Sequence, residues 1–153
     1  MPISTLLHQD ALLLNSLVSV LLKEQSSLIE MDIDVMEGLL DEKAVLLQKI
    51  TQATKARHLA LGQASFEANE NGMTVWINRN ANAKDRATWQ TFQQQLAQAK
   101  ELNRLNGQMI NQHFRRNQET LNQLQGRPAN ATGVYGPNGQ TAGTHISRAS
   151  LSV

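Results

Sequence analysis

The stretch that decides the fold runs from Ser4 to Gly62 and reads STLLHQDALLLNSLVSVLLKEQSSLIEMDIDVMEGLLDEKAVLLQKITQATKARHLALG. It contains no proline, and its one interior glycine is Gly38. Apolar residues recur at steps of three, four and their sums, which places them on one face of a helix. This apolar stripe consists of Leu6, Leu13, Leu17, Val20, Leu28, Met31, Val35, Leu39, Leu46, Ile50 and Ala53. Because the stripe keeps its phase, we expect one long helix.

Two features interrupt this pattern. Ser27 and Glu30 have the spacing of a capping box, which can start a new helix. Glu24 and Glu42 occupy stripe positions, where we expect looser packing. An unbroken helix would still extend to roughly 85 Å at about 1.5 Å per residue. A rod of that length must pair with another long helix or with another chain.

The rest of the chain divides into three segments. Residues 69–72 (Asn-Glu-Asn-Gly) predict a turn, and the apolar run 73–77 after it predicts a cap over the end of the helix pair. Helical periodicity returns from Ala83 to Gln125, and glycine followed by proline ends it at 126–128. Residues 127–153 are too polar to bury a core.

The predicted fold is therefore all-α. We expect an elongated antiparallel helical hairpin or bundle of long helices with a short connecting helix, over residues 1–126. Residues 127–153 are predicted to form a flexible C-terminal tail.

Composition supports helices and excludes several classes of protein. Hydrophobic residues make up 41%, aromatic residues 4% and charged residues 18% of the 153 residues, and cysteine is absent. Without cysteine there is no disulfide framework and no thiolate metal site. So few aromatic residues argue against a β-sandwich and against base-stacking platforms.

The net charge of +1 is the sum of two opposite parts. Residues 1–42 carry eight acids and one base, a net −7, whereas residues 43–153 carry a net +8. An antiparallel pairing of acidic and basic helices explains this division. A basic nucleic-acid surface is the alternative, and we rank it lower because the bases are dispersed.

The sequence predicts no targeting or membrane-spanning segment. The Leu-rich run from Leu12 to Leu22 is interrupted by Asn15 and Ser19, and no basic segment precedes it. It is also shorter than the ~20 residues a membrane helix needs. We expect a cytoplasmic protein without membrane insertion.

No pattern in the chain predicts catalysis or a cofactor. The four histidines lack metal-ligand spacing, and the acids between residues 30 and 42 alternate with apolar residues as on a helix face. Phosphate-binding loops and nucleophile elbows are absent from the sequence. The sequence thus indicates a binding protein that is not an enzyme and needs no cofactor or metal.

Two motifs point to a family. Residues 103–110 read Asn-Arg-Leu-Asn-Gly-Gln-Met-Ile, followed in helical phase by Asn117, Leu121 and Leu124. Residues 134–141 read Val-Tyr-Gly-Pro-Asn-Gly-Gln-Thr and contain the chain's only tyrosine, Tyr135. Together, and in this order, they resemble the FlgN family of flagellar type III export chaperones. Met109 stands where leucine is common in the family.

The resemblance implies partners and site residues. Such chaperones bind the C-terminal helical segments of the hook–filament junction proteins FlgK and FlgL, prevent their premature assembly and deliver them to the export-gate protein FlhA. The implied gate contact is Tyr135. The implied client-binding residues are Asn103, Leu105, Asn106, Met109, Ile110, Phe114, Asn117 and Leu121.

Some alternatives stay open at this point. The apolar members of that set can instead form internal core, and the free protein can be a monomer or a homodimer. A structural coiled-coil adaptor or oligomer without a secretion role is the main alternative function, because the first stripe is so long.

Overall fold

The computed structural model describes residues 1–126, and they form four helices without any strand. These are α1 (Ile3–Glu30), α2 (Ile33–Gln63), α3 (Glu70–Asn80) and α4 (Ala83–Leu124). The predicted all-α class of long helices with one short connecting helix is confirmed. The predicted tail, with Tyr135, lies outside the described residues.

The chain divides into two compact units. The first is Met1–Asn106, which contains α1, α2, α3 and the first part of α4. The second begins at Gly107 and contains the remainder of α4. The helix itself continues through this boundary, so the division reflects packing and not a break in secondary structure.

The expectation of a single helix from Ser4 to Gly62 is wrong, because two residues, Met31 and Asp32, interrupt the helix. Met31 adopts the left-handed conformation, with φ 57° and ψ 37°, and ends α1. The backbone N–H of Asp32 donates to the Ser27 carbonyl at 2.9 Å, as in a Schellman-type helix end. The Asp32 side chain then accepts from the Val35 N–H and caps α2.

The predicted capping box is also absent at the position expected. The Ser27 hydroxyl lies inside α1 and donates to the Glu24 carbonyl at 2.7 Å. The start signal that operates is Asp32, five residues later. The two halves of the apolar stripe lie on α1 and α2, which pack against each other.

Side-chain contacts show that α1 and α2 are antiparallel. Near the start of α1, Asp10 contacts Arg57 of α2. Near the end of α1, Glu24 contacts Lys43, which lies earlier in α2. α1 therefore pairs with α2, and most of the stripe is covered within the first unit, although Met31 and Val35 at its turn are exposed.

The first part of α4 runs parallel to α1. The Ser4 hydroxyl donates to Asp85 at 2.7 Å, and the Gln95 amide donates to Asn15 at 2.9 Å. Both pairs are about 80 residues apart in sequence, so the two helices advance together. α1, α2 and the first part of α4 therefore pack pairwise as a three-helix bundle, with α3 at the end where α2 leads into α4.

The core of the first unit is built from all four helices. Trp89 and Phe92 stack with ring centroids 5.4 Å apart. The buried core residues are Ile3, Leu7, Leu14, Leu17, Val18, Leu21, Leu61, Met73, Ile77, Trp89, Phe92, Ala99 and Leu102. Each fully buried leucine contributes about 1.5–3 kcal/mol relative to exposure.

The predicted turn at residues 69–72 is the start of α3. The Asn69 side chain accepts from the Gly72 N–H at 2.8 Å and caps the helix. A Cβ at position 72 would lie 1.8 Å from the Glu67 carbonyl oxygen, so only glycine fits. The predicted apolar run lies on α3, where Met73 and Ile77 enter the core.

By length and composition alone, α1 could cross a membrane. This is weak evidence, because the core helix of a globular protein meets the same criteria. In this chain α1 buries two carboxylates, Asp10 and Glu24, each against a cation of α2. These ion pairs place α1 in a protein core.

Replacing Met31 with glycine should raise the free energy of unfolding. The left-handed conformation costs an L-residue about 1–2 kcal/mol, and glycine avoids this cost. The Met31 side chain is exposed, so its loss removes little packing. We expect a gain of about 1 kcal/mol for Met31→Gly in urea denaturation. Met31→Ala keeps the strain and serves as the control; an equal gain there would contradict this explanation.

Candidate functional site

A buried arginine joins the helices of the first unit. Arg57 of α2 is fully buried, and its Nε donates to Asp10 of α1 at 3.0 Å. Its Nη2 donates to Glu70 of α3, also at 3.0 Å. The Thr54 hydroxyl donates to the same Asp10 oxygen at 3.2 Å. We call Asp10, Thr54, Arg57 and Glu70 the Arg57 cluster.

Aromatic rings of α4 complete the surroundings of Arg57. The guanidinium carbon lies 5.6 Å from the centroid of Trp89 and 5.2 Å from that of Phe92. A guanidinium over aromatic faces is attracted by their quadrupoles, with about 2 kcal/mol for a desolvated pair. Arg57 thus contacts each of the other three helices.

The two carboxylates of the cluster respond differently to burial. Burial raises the pKa of Asp10 and outweighs the charge and hydrogen bonds of Arg57 and the hydrogen bond of Thr54. Burial also acts to raise the pKa of Glu70, but hydrogen bonds and charge from Arg57 and His58 lower it overall. His58 Nε2 lies 2.9 Å from the Glu70 carboxylate.

A third carboxylate, Asp85, is held where α4 begins. Asp85 is buried and accepts from Ser4, and its oxygen lies 2.9 Å from His8 Nε2. Burial acts to raise the pKa of Asp85, but the hydrogen bonds of Ser4 and His8 and the charges of His8 and Lys84 lower it below its usual value. These contacts fasten α4 to α1.

Removing the Arg57 cation should strongly destabilise the fold. Arg57→Met leaves Asp10 buried without its cation, and breaking a buried pair costs about 3–5 kcal/mol. The double variant Asp10→Asn, Arg57→Met should recover part of this loss, as measured by urea denaturation.

The loss should also depend on pH. A carboxyl with a raised folded-state pKa contributes stability at low pH, and this contribution is lost as pH rises above its unfolded value. Relative to the unchanged protein, Arg57→Met should therefore lose less free energy of unfolding between pH 4 and 5 than at pH 8. A loss that is the same at each pH would contradict this account of Asp10.

Two of the predicted site residues in the first unit, Asn103 and Asn106, belong to a second polar cluster. The Asn106 amide donates to the Leu21 carbonyl at 3.0 Å and to Glu24 at 2.9 Å. Lys43 Nζ reaches Glu24 at 3.3 Å and Asn103 Oδ1 at 3.0 Å. We call Glu24, Lys43, Asn103 and Asn106 the Glu24 cluster. Glu24 is thus a tightly packed stripe position, contrary to the expected loosening.

The three predicted site residues of this unit differ in accessibility. Asn103 is exposed, Leu105 is half-buried, and Asn106 is 1% exposed. The side-chain oxygen Oδ1 of Asn106 is buried and accepts no hydrogen bond from residues 1–126. In this conformation Asn106 holds α4 against α1, whereas Asn103 lies at the surface beside Lys43 and Leu105 is only partly covered.

The other predicted site residues lie in the second unit. Met109, Ile110 and Phe114 are half-buried, Asn117 is exposed, and Leu121 is 51% exposed. Steps of four, three and four join Ile110, Phe114, Asn117 and Leu121, so these four residues share one helix face. Large apolar side chains beside an amide on an open helix face suit contact with another helix.

Leu124 and Gly107 also lie in the second unit. Leu124 follows Leu121 on the same face and is 80% exposed. Gly107 has no atom within 4 Å of the position a Cβ would take. Packing among residues 1–126 therefore does not require glycine there, although glycine costs a helix about 1 kcal/mol relative to alanine.

Sequence reasoning missed the cations that hold these helices together, the buried Arg57 and the half-buried Lys43. Neither was expected to contact a buried acid, although the positions of the acids gave a signal. Glu24 interrupts the apolar stripe, and an acid at such a position needs a buried cation. Among residues 1–126, no group of three or more histidine, cysteine or acidic side chains could hold a metal ion.

These observations define a class, an all-α protein with a partly exposed amphipathic face on α4. A family model described as FlgN protein matches residues 2–143, and the chain belongs to this family. This match confirms the resemblance that the two sequence motifs indicated, and FlgN proteins are chaperones of flagellar export. Neither the search of curated proteins nor the search of solved structures returned a match.

Proposed function

We propose that this chaperone binds the hook–filament junction proteins FlgK and FlgL in the cytoplasm and delivers them to the export-gate protein FlhA. The observation that supports client binding is the open helix face of the second unit. It combines Ile110 and Phe114, both half-buried, with the exposed Asn117 and Leu121. An amphipathic C-terminal helix of a client can bury this apolar surface.

The proposed client-binding set contains direct and indirect members. The direct members are Asn103, Leu105, Met109, Ile110, Phe114, Asn117 and Leu121. Asn106 acts indirectly, because its hydrogen bonds to Leu21 and Glu24 fix α4 on α1. Replacement of Asn106 is therefore a test of stability and not of client contact.

A change at Leu121 tests the client site without disturbing the core. The side chain is 51% exposed, so Leu121→Ser should change the free energy of unfolding by less than about 1 kcal/mol. It should weaken binding of FlgK or FlgL from the same genome by about tenfold, since it removes an apolar anchor. Isothermal titration calorimetry with purified proteins measures the affinity for FlgK and the affinity for FlgL.

Leu12→Ser is the matched control for this experiment. Leu12 is also an exposed leucine on a long helix, but it lies on α1. Its replacement should leave client affinity unchanged. Equal loss in both variants would argue against a site on α4. A stable large oligomer in light scattering, without client binding, would favour the coiled-coil adaptor instead.

The tail tyrosine gives a separate prediction about the gate. Tyr135→Ala should weaken binding of FlhA while client affinity stays unchanged, because gate and client contacts lie on different parts of the chain. Tyr135→Phe keeps the ring and tests whether the hydroxyl contributes. The readout is surface plasmon resonance with immobilised FlhA cytoplasmic domain. Loss of client binding in Tyr135→Ala would show that Tyr135 belongs to the client site.

A further inference from the structure

The outer face of α2 carries a second apolar stripe, separate from the one described in the sequence analysis, and no described residue covers it. Ile33, Leu40 and Leu47 are 64%, 53% and 45% exposed and follow each other at intervals of seven. Ala44 is also exposed and lies between the last two, at steps of four and three. This is the seam pattern by which one helix packs against another.

The core of the first unit does not use this face. The inward positions of α2 are Leu39, Arg57 and Leu61, which are the buried residues of the helix. Ile33 and Leu40 lie outside that set and contribute little to folding. Contiguous exposed apolar residues of this size typically mark an interaction surface.

Acidic side chains border the stripe. Glu37 lies within it, and Asp34 and Asp41 directly follow two of its apolar members. All three are exposed, and none forms an ion pair with the described residues. Residues 30–42 contain six acids and no base. The surface therefore combines large apolar side chains with one acid in the seam, Glu37, and two acids beside it, Asp34 and Asp41.

We propose that Ile33, Leu40 and Leu47, with Asp34, Glu37 and Asp41, form a docking surface for an amphipathic helix of a partner protein that carries lysine or arginine beside its apolar stripe. The heptad spacing selects a helix, and the acids select its charge. Ile33 and Leu47 are separated by about 21 Å along the helix at 1.5 Å per residue. The partner helix needs about four turns to cover this length.

A second copy of the chain is a poorer occupant. Symmetric pairing through this stripe would bring Glu37 and Asp41 of both copies into one interface, where like charges repel. A basic helix instead neutralises them. The proposal is independent of the client site on α4, because the two surfaces share no residue.

The test uses the full chain and two labelled helical peptides of about three heptads. Both have leucine at the seam positions; one has lysine and the other glutamate at the flanking positions. We expect fluorescence polarisation to show binding of the lysine peptide and none of the glutamate peptide. Raising salt from about 50 to about 300 mM should weaken the binding.

Variants locate the binding on the chain. Leu40→Ser should weaken binding of the lysine peptide by about tenfold, and the double variant Asp34→Asn, Asp41→Asn should weaken it by a similar factor. Leu59→Ser is the matched control, since Leu59 is 63% exposed on the same helix but out of phase with the stripe. Leu121→Ser should leave peptide binding unchanged, which separates this surface from the client site.

Several outcomes would overturn the proposal. These are no binding of the lysine peptide, equal binding of the glutamate peptide, and equal loss in Leu40→Ser and Leu59→Ser. Loss confined to Leu121→Ser would place the peptide on the client site. A dimer in light scattering that Leu40→Ser dissociates would make a second copy the occupant.

Discussion

The first unit depends on the burial of one cation. Desolvating a guanidinium costs several kcal/mol, and Arg57 recovers this cost only where Asp10, Glu70 and two aromatic rings are all in place. Because these groups come from α1, α3 and α4, no pair of helices satisfies Arg57 alone. The cluster therefore specifies one arrangement of helices that have long and rather uniform apolar faces.

The Glu24 cluster performs a similar task at the other end of the first unit. Lys43 and Asn106 bring α2 and α4 to the buried carboxylate. Asn103 and Leu105, which the proposed function assigns to the client, lie beside Asn106 on the part of α4 that belongs to the first unit, so the Glu24 cluster positions them. Side chains on an anchored helix lose less entropy when they bind a partner.

The helical content was predictable from periodicity, and the break at Met31 was not. A left-handed methionine has no sequence signature. The apolar stripe from Leu6 to Ala53 keeps its phase whether the helix continues or the chain folds back on itself. Arg57 was missed because it lies in phase with the stripe, four residues after Ala53, yet a charged residue is usually read as exposed. Only the three-dimensional arrangement shows which acids meet which cations. For the candidate site, the sequence placed the residues on one helix, but the burial of Asn106 depends on contacts with α1.

The order of contacts along the chain has a consequence for synthesis. Asp10 and Arg57 are 47 residues apart, so α1 and α2 can meet as soon as both have left the ribosome. The contact between Ser4 and Asp85 spans 81 residues and must wait for α4. Until then the faces that receive Trp89 and Phe92 are open to water. We expect this interval to be the period of greatest risk of aggregation for the nascent chaperone, which itself needs protection before it can protect a client.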